Sequence, residues 1–130
     1  MAWVKRFMKG IGIGVVLAGA VSIAAGYSNP IEGGTSETVT NNWDAGDDLT
    51  VGQSTTNNTL TITNGATVFD GHGIIGELTG SDGNTVVVSG SGSSWTNSSD
   101  LASCNGGSSN SLTIEDGGLA YNANGIIGVE

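Results

Sequence analysis

Short apolar positions separated by single polar residues recur along this chain at a constant interval. Asn57–Ile62 reads NNTLTI, residues 83–88 read GNTVVV and residues 109–114 read SNSLTI, so Asn58, Asn84 and Asn110 stand 26 residues apart. Leu60, Val86 and Leu112 keep the same step, as do Ile62, Val88 and Ile114. A fixed period of this size is the mark of stacked repeats. Alternation within each unit predicts a strand with those six apolar residues facing a core and the hydroxyl residues between them facing solvent. The same parity turns Asn58, Asn84 and Asn110 inward, at the corner where each strand begins.

Further apolar pieces, Leu49–Val51 and Val68-Phe69, are bounded by Gly, Asn, Asp and Ser and also read as brief strands. Aromatics fall at Trp43, Phe69, Trp95 and Tyr121, again 26 apart. A stronger relation spans 52 residues: Trp43 with Trp95, Leu49 with Leu101, and Gly73-Ile74-Ile75-Gly76 with Gly125-Ile126-Ile127-Gly128. The predicted fold class is therefore all-β, a parallel β-helix with coils of about 26 residues, each strand pairing with its equivalent one coil away. Each coil would add roughly 4.8 Å of height. Residues 43–130 supply a little over three coils, and 27–42, with the chain's one proline, Pro30, read as a linker or irregular N-terminal cap. Residues 127–130 lie partway into a new coil, so continuation of the same chain beyond Glu130 is expected.

Residues 1–26 are of another kind. Lys5, Arg6 and Lys9 precede an apolar run over 11–25 that ends in small residues, the layout of a helical secretory signal peptide. The competing reading, a retained anchor, needs about 20 apolar residues. Export followed by removal of this segment changes the charge balance. All three basic residues leave, and 12 Asp and Glu remain with no Lys or Arg. Such a chain cannot neutralise phosphates, which excludes nucleic acid as a partner, and it has no attraction to an anionic membrane once the signal is cleaved. Cys104 is the single cysteine, so no internal disulfide is available and cohesion must come from stacking.

Leu49-Thr50-Val51-Gly52, Leu60-Thr61-Ile62, Asn64-Gly65-Ala66, Gly73-Ile74-Ile75-Gly76 and the closing stretch from Val86 to Trp95, V-x-V-x-G-x-G-S-x-W, together form a motif. It resembles the repeat shared by type V secretion autotransporter passengers and PEP-CTERM-associated bacterial surface proteins, over about two thirds of the chain from Trp43 onward. The resemblance implies a right-handed β-helix, exported and held at the cell surface or outer membrane, and it brings no catalytic residues. In the second copy Ser103-Cys104 stands where the first has Val51-Gly52.

Candidate chemistry is sparse. Gly71-His72-Gly73-Ile74-Ile75-Gly76 spells the dinucleotide fingerprint, but no helix pattern follows to receive a pyrophosphate, so it reads as a turn entering a strand. His72, the one histidine, is expected at a solvent-facing turn without a partner for acid–base work. Asp44, Asp47 and Asp48 before the first strand, and Asp82 in a turn, are oxygen-rich but match no calcium loop. Cys104 aligns with Gly52 and has no base beside it in sequence. Thr59, Thr61 and Thr63 form an outward rank that would suit ice, yet the next ranks, Thr85/Val87/Ser89 and Ser111/Thr113/Glu115, lose its regularity. Asn58, Asn84 and Asn110 have two readings, a hydrogen-bonded side-chain ladder or residues in left-handed turns.

No catalytic, cofactor-binding or metal residue is assigned. The expected role is a non-enzymatic exported passenger segment, a stalk or adhesin whose partners are surface glycans or molecules of a host or neighbouring cell. The alternative is the N-terminal part of a carbohydrate-active β-helix protein, which would need a carboxylate cluster with a basic residue on one face.

Overall fold

The structure, a computed structural model, describes residues 26–128, so the signal-peptide reading of 1–26 falls almost wholly outside the described residues. Among the described residues ten strands occur in order: β1 (Ser36–Val39), β2 (Trp43–Val51), β3 (Thr59–Ile62), β4 (Thr67–Ile75), β5 (Thr85–Ser89), β6 (Ser94–Asn97), β7 (Asp100–Ser103), β8 (Ser111–Glu115), β9 (Leu119–Tyr121) and β10 (Asn124–Ile127). Every pairing is parallel. One sheet runs β1-β3-β5-β8. In the other, β2 pairs with β4, and each later coil replaces that single long strand by two short ones, β6 with β7 and β9 with β10. The chain is thus a β-solenoid of about 4 turns, the β-helix that its periodicity predicts.

The four-stranded sheet follows the alternation closely. Thr59, Leu60, Thr61 and Ile62 pair with Thr85, Val86, Val87 and Val88, and these in turn with Ser111, Leu112, Thr113 and Ile114. Leu60, Ile62, Val86 and Val88 are completely buried. At the corner after β3, Asn64 and Gly65 both take positive φ, 59° and 75°. Asp116 and Gly117 do the same after β8, the backbone that reverses a chain in two residues.

Part of 27–42, read as a linker or N-terminal cap, joins the stack. Ser36–Val39 heads the four-stranded sheet against β3, and Ile31 bridges to Val51, with Ile31 and Val39 fully buried. Regular stacking therefore begins ahead of Trp43. Its first step is shorter, Ser36 pairing with Thr59, which hides it from a search for a 26-residue period.

The aromatic column also divides. Trp43 and Trp95 point inward, in register with Val68 and Ala120, whereas Phe69 and Tyr121 point outward and are about half exposed. Inward positions in this sheet alternate between large and small residues: Leu49, Gly73, Leu101 and Gly125 form one column. Close packing requires that alternation, because Trp95 reaches over Gly73. A Cβ on Gly73 would lie 2.6 Å from Trp95 Cζ2 and 2.8 Å from Leu101 Cδ1. The 52-residue relation is thus one large-over-small pair of coils.

Several further expectations change. Gly71–Ile75 lies inside β4, so the fingerprint-like stretch is strand and only Gly76 turns. Asp44, Asp47 and Asp48 belong to β2 and do not precede it. Ile114, expected in the core, is 47% exposed, and Leu112 is only half-buried. Both sit on β8, the last strand of its sheet, where β5 covers one side and the axial end of the apolar interior is open among the described residues.

Trp95→Ala should lower unfolding free energy by about 3–5 kcal/mol, the cost of a large unfilled cavity, and Gly73→Val by about 1–3 kcal/mol through overpacking. Denaturant titration of each variant checks both figures.

Candidate functional site

Asn58, Asn84 and Asn110 immediately precede β3, β5 and β8, and the first two are completely buried. Asn84 Oδ1 accepts from the backbone N–H of Asn58 at 2.9 Å and from its Nδ2 at 2.8 Å. Asn110 Oδ1 accepts from Asn84 in the same way, at 2.8 and 3.0 Å. The series starts one coil earlier, where Asn58 Oδ1 accepts from the N–H groups of Gly34 and Thr35. Each amide also reaches back within its own coil, Asn58 Nδ2 to Thr55 O and Asn84 Nδ2 to Ser81 O. The left-handed conformation belongs one residue earlier, to Asn57, Gly83 and Ser109. Of the two readings, the geometry of this column is the ladder.

The ladder constrains a second column. Gly52, Gly76, Cys104 and Gly128 all turn with positive φ, between 61° and 75°. A Cβ on Gly52 would lie 2.2 Å from Asn84 Nδ2, and one on Gly76 would lie 1.9 Å from Asn110 Nδ2. Glycine is needed there for conformation and for space together. Cys104 occupies the equivalent corner, half-buried, with Sγ 3.8 Å from Asn110 O and no base in contact.

A second buried polar group lies in the other sheet. Asp70 and Asn97 are neighbours in register on β4 and β6, both pointing inward. The Asp70 carboxyl accepts from the indole N–H of Trp95 and from Asn97 Nδ2. Burial, which penalises the charged form, raises the Asp70 pKa above its ordinary value. The two hydrogen bonds oppose that rise, and Asp48 adds to it. Sequence reading missed this cluster, although alternation from Val68 already assigns Asp70 to the inside.

Outside, a shallow recess of about 250 Å³ is lined by Asp44, Asp47, Phe69, Asp70, Thr96 and Ser98. Among the described residues no group of three or more His, Cys, Asp or Glu is placed to hold a metal ion. His72 lies on β4 instead of in a turn. Its Nδ1 is 2.9 Å from Asp48 Oδ1, and both side chains are more than half exposed. An exposed pair of this sort contributes little. The outward face of the four-stranded sheet carries Thr59 and Thr61 as expected, and β1 adds Ser36 and Thr38 beside them.

No family model, no curated protein and no solved structure matches this chain. The class that its fold defines is a β-solenoid.

Asn84→Ala should destabilise the chain by roughly 3–5 kcal/mol, because it strands the buried N–H of Asn58 and the carbonyl of Ser81. Urea unfolding measures this. For Asp70 the folded-state pKa lies above the unfolded value of 3.8. The folded chain therefore binds the proton more tightly, and ionising Asp70 costs stability. That cost is absent below the unfolded value, grows as pH rises through the interval up to the raised folded value, and is complete above it. Asp70→Asn should abolish this fall. A turned Asn97 would then offer its partnerless Oδ1 to the new amide, while Trp95 keeps an acceptor. The difference between the denaturation midpoints of the two proteins, followed against pH, checks the sign.

Proposed function

We propose that this chain is a non-enzymatic, exported β-helical passenger segment of a bacterial surface or secreted protein, serving as a stalk or adhesin. The observation that carries the reading is the asparagine ladder. The buried amides are committed to holding one coil on the next, which suits a rigid spacer presenting surface along its length. Residues 27–130 contain neither Lys nor Arg, so trypsin has no cleavage site there, an advantage outside the cell. The recess beside Phe69 combines an exposed aromatic ring with carboxylates and hydroxyls. That chemistry favours neutral glycans over anionic ones, since like charges repel.

Expressed with residues 1–26 in a Gram-negative host, the chain should leave the cytoplasm, and its new N-terminus should follow the small residues at 18–26. Polysaccharides incubated with it should keep their length. Cytosolic retention with an uncleaved N-terminus would remove the export reading, and shortened polysaccharide would favour the carbohydrate-active alternative.

A further inference from the structure

The two ends of the solenoid are built differently. At the N-terminal end, Ile31 donates its N–H to Thr50 O and accepts from Gly52 N, and the Asn29 side chain bonds Ala45 O and Asp48 O on the edge of β2. Tyr27 packs on Trp43 with ring centroids 5.2 Å apart. β1 carries Glu37 in register with the buried Leu60, an inward position filled by a charge, which discourages another strand from stacking there. This end is closed.

The other end has none of these devices among the described residues. β8, β9 and β10 each pair on one side only. Ile114 and Ile127, at positions equivalent to the buried Val88 and Ile75, are exposed. Beside them a recess of about 310 Å³ is lined by Leu101, Asn110, Leu112, Gly125 and Ile126. Asn110 Nδ2 is buried without a hydrogen-bond partner, although the same atom of Asn58 and of Asn84 donates to the next asparagine oxygen.

We infer that this end is the acceptor for one further coil of the same repeat, laid on in the same polarity, with an asparagine whose side-chain oxygen takes the Asn110 amide and extends the ladder. The orphan donor specifies the occupant, because it needs an acceptor and the apolar rim alone would not. A second copy of this chain does not fit. Two such ends facing each other would oppose donor to donor, and at the N-terminal end Asn29 and Ile31 already cover the edge of β2 while Glu37 sets a charge over the apolar interior, which opposes stacking of an apolar coil there. The inference rests on the solenoid geometry and is independent of the surface role proposed above.

The test appends to the whole chain a copy of residues 105–130, which sets an asparagine 26 positions after Asn110, and compares it with the same extension carrying leucine in that place. Exchange of the Asn110 side-chain amide hydrogens, followed by NMR, should slow roughly tenfold in the asparagine version only, the effect of gaining one buried hydrogen bond. Binding of an apolar dye to the unextended chain should fall in that version too. Equal protection by leucine, or unchanged exchange in both, overturns the proposal. So does sedimentation of the unextended chain as a dimer that no longer binds dye.

Discussion

A buried amide must be satisfied on every side, and in this protein that requirement sets the spacing of everything else. Asn58 and Asn84 each use the side-chain oxygen for the coil before and the nitrogen for the coil after. An unsatisfied buried amide costs about as much as a well-made core contact supplies, so a one-residue slip between coils is opposed from the polar side as well as the apolar one. Apolar alternation tells a strand which face is inward, whereas the ladder tells it which neighbour to meet. Gly52 and Gly76 are consequences of the same demand, because the amides of Asn84 and Asn110 fill the space where a side chain would begin.

The second sheet answers to volume. Trp43 and Trp95 lie two coils apart, and between them Val68 and Gly73 leave the room that an indole and its leucine neighbour require. Offsets between coils in this sheet differ from one pair to the next, and β2 and β4 shift register near Gly46. The stack accommodates this irregularity while the ladder holds the 26-residue register of the four-stranded sheet. The Asp70 carboxyl is the exception to a neutral core. It supplies the acceptor that the Trp95 indole needs, and burial raises its pKa.

Much of the four-stranded sheet was legible in the chain. Asn58, Leu60 and Ile62 and their equivalents one coil on occupy inward positions predicted from a period of 26 and a strand alternation of 2. Ile114 departs from its equivalents because burial is a property of what is stacked above a residue, and its own strand pattern carries no information about that. Residues 36–39 escaped recognition since their step to β3 is shorter than the period. Phe69 and Tyr121 share the spacing of the tryptophans, but the coil step in register is Trp43 to Val68 and Trp95 to Ala120, so a period of 26 lands one position beyond the inward residue.

By itself, the sequence determined the coil length, the parallel stacking and the inward face of each short strand, because these follow from local alternation repeated at a constant interval. Tertiary structure alone decided which aromatics enter the core, that Asp70 and Asn97 meet beneath Trp95, and that one end of the stack is closed while Asn110 keeps a free donor at the other. Those outcomes depend on volumes and hydrogen-bond partners supplied by neighbouring coils, about 25 residues away along the chain, and they exist only once the coils are laid on one another.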